Sequence, residues 1–360
     1  NDFQSRSFLT QDNLETELGL RSVFTYVRSP QTTLTTGLEF SRTRFDNALT
    51  QTGLDTLYTF DRQAFRPDPA VYYLVRPPEF VNARFDANKN LFAAFGEWSI
   101  SPTRRLTTNV GLRYEYNEFN AKRYLSPRLS ATYRLAPQTR LNFATGVYYQ
   151  TPDLDIVTAT PLNENLANER AYHLIGGLTR YLRDDLKFTA ETYYKSLKNL
   201  IVRPDRGRPQ RTNAGDGWAA GADFSLIKRF VDKFYGQINY SYALSERDDH
   251  DGQGVYNSDF NQPHIFNILA GYEFNESWAF SAKWRYATGR PKDAYIVHEN
   301  IFNDPAILRY AQEITANNTE RLPAFHTFNI RLDSRRQLGR IALVSFFDIV
   351  NVYNHLNVNE

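Results

Sequence analysis

Apolar and polar residues alternate with a period of two along most of this chain, and the stretch from Leu106 to Asn117 shows it cleanly. Leu106, Thr108, Val110, Leu112, Tyr114 and Tyr116 share one face; Thr107, Asn109, Gly111, Arg113, Glu115 and Asn117 share the other. A helix would scatter both sets, because its period is 3.6. The pattern returns from Leu186, where Phe188, Ala190, Thr192 and Tyr194 oppose Lys187, Thr189, Glu191, Tyr193 and Lys195. Phe280, Ala282, Trp284 and Tyr286 oppose Ser281, Lys283 and Arg285, and Phe328, Ile330 and Leu332 oppose Asn329, Arg331 and Asp333. The alternation predicts about 14 strands, near 13–29, 31–46, 89–101, 104–119, 125–136, 139–151, 168–183, 186–202, 217–231, 234–247, 263–275, 278–290, 324–335 and 340–354.

The spacers between these strands alternate in length. SPQ, SPTRR, APQT, RDD, VDK, NES and RRQLG are short, and the connections between them are long, at roughly 47–88, 120–124, 152–167, 203–216, 248–262 and 291–323. Short turns on one side and long loops on the other are the sidedness of an antiparallel transmembrane β-barrel of the outer membrane, with the long loops outside. Aromatic residues fall near both ends of the strands: Tyr114, Tyr116, Tyr149, Tyr194, Tyr242 and Tyr286 at the outer ends, Tyr26, Tyr133, Tyr181, Phe234 and Phe274 at the inner ends. Rings with polar tips suit a headgroup boundary. A soluble sandwich or propeller would also alternate, but strands of about 12 to 15 residues exceed the usual five or six, and no blade-length repeat is present.

Composition supports the same picture. Aromatics make up 15% of the 360 residues while mean hydropathy is -0.55, a pairing that strands apolar on one face only would produce. No apolar run reaches the roughly 18 residues of a transmembrane helix. The absence of Cys removes disulfides and thiolate chemistry and suits an oxidising periplasm. A net charge of +2 provides no field for nucleic acid, so no such partner is expected. With no signal peptide at Asn1 and no Met, the chain reads as a mature or trimmed fragment forming a single domain over 1–360.

Five segments resemble TonB-dependent receptors: YLSPRLSATYRL (Tyr124 to Leu135), TRLNFATGVYYQTP (Thr139 to Pro152), NQPHIFNILAGYEF (Asn261 to Phe274), WRYATGRP (Trp284 to Pro291) and SFFDIVNVYNH (Ser345 to His355). Their order and spacing carry the likeness more than any one of them. The resemblance implies a barrel of 22 strands, plugged at its N-terminal side, that imports a scarce nutrient such as a metal chelate, vitamin or glycan with energy relayed by TonB. No plug or TonB box precedes Asn1, and the chain stops at Glu360 rather than on the family's terminal aromatic strand, so the expectation is a partial barrel. Strand direction agrees: both chain ends fall outside, and seven strands before and one after would complete 22. Leu14–Val27 and Ile341–Tyr353 should then not pair with each other.

The expected partners are outer-membrane lipid and lipopolysaccharide, the TonB complex through a plug and TonB box beyond this chain, and a surface lipoprotein or envelope-assembly partner. The competing readings are a structural or adhesive barrel that imports nothing, and a passive porin.

Candidate chemistry is sparse. His173, His250, His264, His298, His326 and His355 contain no helical zinc spacing, and neither catalysis nor a cofactor is indicated. GDGWAAG at Gly215 to Gly221 precedes a strand rather than opening a helix, so it reads as a loop-to-strand turn and not a dinucleotide loop. Arg203, Arg206, Arg208 and Arg211 form a solvated loop or a recruiter of anionic ligands and lipopolysaccharide phosphates. Asp248, Asp249 and Asp251 beside Gly252 are weak calcium candidates, since hard oxygen ligands suit that ion but the spacing is not that of an EF-hand. Arg113, Glu115, Lys187, Glu191, Lys283, Arg285 and Arg331 should face the lumen, where they bind a plug or set ion preference. Asp304 and Pro305 suit the N-cap and first turn of a short helix through about Thr315.

Overall fold

The computed structural model describes residues 9–52, 56–61, 66–74, 80–158, 160–204, 210–299 and 310–358. The chain runs through β1 (Leu9–Ser29), β2 (Thr32–Thr52), β3 (Thr56–Asp61), β4 (Arg66–Leu74), β5 (Phe80–Thr103), β6 (Leu106–Asn117), β7 (Lys122–Ala136) and β8 (Thr139–Gln150). A short helix α1 (Leu154–Thr158) and a 3-10 turn (Pro161–Asn163) precede β9 (Glu169–Arg183), β10 (Leu186–Val202), β11 (Thr212–Val231), β12 (Phe234–Asp248) and β13 (Tyr256–Asn257). The rest is β14 (His264–Asn275), β15 (Trp278–Ala287), β16 (Pro291–Glu299), β17 (Tyr310–Arg321), β18 (Phe325–Leu338) and β19 (Ile341–Ile349).

One antiparallel sheet takes 15 of these strands in the order β1-β2-β5-β6-β7-β8-β9-β10-β11-β12-β14-β15-β18-β19, with β13 beside β12. Every expected strand is present. β1 and β19 are its edges and do not pair with each other among the described residues, so no 14-strand closure occurs. β3 with β4, and β16 with β17, form two separate hairpins inside connections read as loops.

Register carries the alternation across the whole sheet. Arg21, Glu39, Ala93, Glu115 and Tyr124 lie in one row, as do Lys195, Ala219 and Ser245. The apolar face is bare: Leu112 and Leu125 are 50% and 51% exposed, whereas Ala93 and Ser126 on the opposite face are 5% and 7% exposed. Outward-facing Leu and aromatic side chains with no protein cover require an apolar surrounding. On that face Phe40, Phe92 and Tyr116 pack in a row across three strands, with centroids 5.0 and 6.5 Å apart.

The short-turn end is uniform. Pro30–Gln31, Arg104–Arg105, Pro137–Gln138, Asp184–Asp185, Asp232–Lys233, Glu276–Ser277 and Gly339–Arg340 each join flanking strand residues that pair directly. Asp232 and Lys233 both have positive φ, 54° and 67°, the type I′ geometry whose twist matches that of a hairpin.

Several expectations need correction. The connection read as a long loop at 120–124 is a four-residue turn over 118–121, because β7 already starts at Lys122. Tyr310 to Thr315 belong to strand β17 rather than a helix, since alternation with β16 wins over the capping signal; Asp304 and Pro305 lie outside the described residues. Gly215 to Gly221 lie within β11, not ahead of it, and a Cβ at Gly221 would come within 2.6 Å of the Tyr193 hydroxyl. One aromatic leaves the outward belts, Tyr181, which shares the face of Lys187, its register partner. Tyr149 keeps the outward register opposite Arg170 at the end of β8 and packs on Tyr124 with centroids 4.8 Å apart.

Between β7 and β8 the ladder stops short. It runs from Ala136 and Thr139 only up to Arg128 and Gly146, while β7 continues to pair with β6 as far as Lys122. Pro127 stands at the break. Having no N–H, it cannot donate toward β8, and the strand ends separate above it.

Candidate functional site

The concave face of the sheet gathers the charged residues that alternation had assigned to it. Arg113 Nη1 lies 2.5 Å from Glu39 Oε2 and Nη2 3.3 Å from Glu115 Oε2, while Arg21 Nε holds the other Glu39 oxygen at 2.9 Å. This chain of ions crosses β1, β2 and β6. At the far edge Arg331 meets Asp333 at 2.8 Å and Asp348 at 3.3 Å, with its guanidinium 4.2 Å from the Phe346 ring centroid. Lys187, Glu191, Lys283 and Arg285 share the concave face, opposite Ile227, Asp223, Leu269 and Asn267 in register, and are not brought to one another. Polar side chains between these charges bond to one another, Ser225 donating to Asn239, and Thr132 to Asn142, which donates in turn to Thr179.

Above this wall the long connections are tied by asparagines that sequence reasoning did not single out. Asn163 is 0% exposed; its Nδ2 donates to the Ile156 carbonyl at 2.8 Å and its Oδ1 accepts from the Arg211 backbone N–H at 2.8 Å. Asn213 receives the Ala167 N–H at 2.7 Å and donates to the Ala167 and Asn199 carbonyls. The Tyr124 hydroxyl accepts from the Asn168 N–H at 3.0 Å, and Asn120 and Lys122 donate to the carbonyls of Leu166 and Asn165. Connection 151–168 is thereby fixed over the separated ends of β7 and β8. Leu154, Val157 and Leu166 fill its small core.

A second knot joins the connection 249–263 to the β16–β17 hairpin. Asn318, at φ +50°, donates to Asp259 Oδ1 at 2.7 Å and to the Asn257 carbonyl at 2.9 Å, and Asn257 donates back to the Asn318 carbonyl. Arg321 donates to the Asn261 carbonyl and side-chain oxygen at 2.5 and 2.8 Å. A run such as LNENLANER or NSDFNQ offers only a weak hint of this, since Asn is equally at home in solvated turns.

Of the loop arginines, Arg203 is exposed, Arg211 is half-buried in the first knot, and Arg206 and Arg208 lie outside the described residues. Burial and the neighbouring Arg203 cation lower the Arg211 pKa. The three aspartates engage separate local partners: Asp248 accepts from the His250 N–H, Asp249 from the Tyr256 hydroxyl, and Asp251 from the Gln253 N–H. Burial and Asp249 hold the Tyr256 phenol protonated well above its ordinary range. Among the described residues no three His, Cys, Asp or Glu side chains converge as metal ligands. The His326 and His355 rings stack at 3.6 Å, and His326 Nδ1 lies 2.9 Å from the Tyr353 hydroxyl.

A curved antiparallel sheet with an uncovered apolar outside, a charged inside, tight turns at one end and tied loops at the other is the wall of an outer-membrane β-barrel. The sequence places it more closely: residues 1–352 match the family described as TonB dependent receptor-like, beta-barrel, and the chain belongs to that family. No curated protein matches it. Among solved structures it is similar to the outer membrane transporter YddB from Escherichia coli, with 15% identity, 96% of this chain and 51% of that chain covered, and a TM-score of 0.62. It is also similar to the copper transporter OprC (18% identity, 96% and 51% covered, TM-score 0.65). The ferric-catecholate import receptor Fiu from E. coli K12 gives 14% identity, 96% and 51% coverage, and a TM-score of 0.63. The chain spans about half the length of these structures.

Proposed function

We propose that this chain is the barrel wall of a receptor that imports a scarce nutrient across the outer membrane with energy relayed by TonB. The observation that carries the reading is the family match over residues 1–352, in a chain whose outer connections are organised as two asparagine-bonded knots above a charged interior. Similar proteins are an outer membrane transporter, a copper transporter and a ferric-catecholate import receptor, which favours a metal chelate among the nutrient classes. An adhesive or purely structural barrel has no need of a charged interior roofed by fixed loops. The chain's residues bind and orient a solute; none is assigned to bond-breaking chemistry. Its partners are TonB through a plug, outer-leaflet lipid and lipopolysaccharide on the apolar face, and a surface lipoprotein on the loop layer. Uptake of isotope-labelled metal chelates should be measured in cells carrying the full-length protein, with and without a functional TonB. Accumulation that depends on both is expected, whereas equal accumulation without TonB would mean a porin and none at all a structural barrel.

A further inference from the structure

At the outer rim of the concave face, where β14 and β18 begin and β15 ends, lies a hollow of about 370 Å³ whose lining includes Gln262, Arg285, Gly289, Arg290, Leu322 and Phe325. Its floor is backbone. A Cβ at Gly289 would lie 1.7 Å from the Leu322 carbonyl oxygen, so that strand end and the segment after β17 are in direct contact. Arg321 secures the rim by spending its guanidinium on the Asn261 and Gly289 carbonyls and the Asn261 side chain. Gln262 donates to the Thr288 carbonyl at 2.7 Å.

The remaining charge in the hollow is all of one sign. Arg285 and Arg290 both line it, no carboxylate among the described residues does, and Lys283 follows Arg285 on the same face one pleat further in. On the same face Arg113 is neutralised by Glu39 and Glu115, and Arg331 by Asp333 and Asp348. Arg285 instead lies 5.4 Å from the centroid of the Phe325 ring, which braces the guanidinium without removing its charge. Two guanidinium forks over a hydrogen-bonded floor, with a flat aromatic wall, match an oxyanion in charge and geometry.

We infer that this hollow is an oxyanion-binding site, taking a carboxylate or phosphate group of a small solute. The site goes beyond the import reading, because it binds whether or not the solute is carried inward. The test is calorimetric titration of the full-length receptor in detergent at low ionic strength, with citrate and inorganic phosphate as separate probes. Saturable binding of at least one is expected, and the probe that binds identifies the oxyanion. R285Q and R290Q should each weaken it about tenfold, the usual effect of losing one charged hydrogen-bond donor. R285K, which keeps the charge but loses the fork, should weaken it less, and R105Q at an inner turn should leave it unchanged. Heat-modified gel mobility reports whether each variant is folded; if R285Q fails to fold, R290Q and R285K decide. The inference is overturned if neither probe saturates, if the arginine variants bind as the parent does, or if R105Q binds as weakly as they do. Loss of anion binding with TonB-dependent uptake intact would remove this site and leave the import reading standing.

Discussion

Seven two-residue turns close one end of the wall, whereas the other end is tied by side chains that reach far along the chain. Asn213 binds Ala167 across 46 residues, Asn163 binds Arg211 across 48, and Asn318 binds Asn257 across 61. The first kind of closure is local and costs little chain entropy; the second must hold long connections whose ordering is costly. The wall is therefore specified by alternation and turn geometry, residue by residue. The loop layer is specified by a few buried amides, and it should yield locally and separately when one of them is removed.

The largest expected effect tests the wall. Leu112→Arg places a charge on the exposed apolar face and should cost about 2–4 kcal/mol if it lies at mid-bilayer. Arg113→Leu should cost about 1 kcal/mol or less, because Glu39 keeps Arg21 as a partner and partly exposed ion pairs contribute little. Refolding midpoints in lipid read both, and equal costs would break the assignment of faces.

Next in size is the loop layer. Asn163→Leu removes the side-chain amide that the half-buried Ile156 carbonyl and Arg211 N–H bond to, at about 1–3 kcal/mol in all. Hydrogen exchange should accelerate over 153–168 and at 211–213 while Val110 to Arg113 stay protected. Uniform loss of protection along the sheet would show that wall and loops unfold as one.

A smaller change sharpens the turns. Lys233 holds φ +67°, which costs a residue with a Cβ roughly 1 kcal/mol. Lys233→Gly relieves that strain and should raise stability by about 0.5 kcal/mol once glycine's extra unfolded freedom is subtracted. A lower refolding midpoint would contradict the turn geometry.

The smallest effect is titrable. At the turn after β9, Asp185 lies 2.5 Å from Lys228, and that hydrogen bond, helped by the Arg183 cation, depresses its pKa below the usual carboxylate value. The stabilisation is complete above the unfolded-chain pKa of about 4 and is lost as pH falls through the depressed folded value. Asp185→Asn should flatten the pH dependence of unfolding below about pH 4, and an unchanged profile would assign the acid sensitivity elsewhere.

The 14 wall strands were legible because one bare apolar face and one charged face leave an unambiguous period of two. The inner turns were legible for a related reason: no more than a few polar residues separate one run from the next. Legibility failed where residue type does not reveal direction. Tyr181 was placed at the membrane boundary by its ring, although alternation along β9 puts it with His173 and Thr179. The β16–β17 hairpin was missed because Asp304 and Pro305 carry a helix-start signal stronger than the weak alternation of Tyr310 to Arg321. The buried asparagines were missed because burial of an amide is decided by distant carbonyls, which no local window contains. The charged pairs were half legible: Arg113 and Glu115 could be placed on one face, but Glu39, 74 residues away from Arg113, could not be named as their partner.

The break at Pro127 has a mechanical consequence. Below it, the wall is joined across β7 and β8 by a continuous ladder, like a hoop welded along its seam. Above it, tension around the rim passes through the tilted contact of the Tyr124 and Tyr149 rings and the clasp that residues 165–168 make with Asn120, Lys122 and Tyr124. At this seam the outer rim is thus more compliant than the inner rim, so dilation of the mouth there is hinged at Pro127.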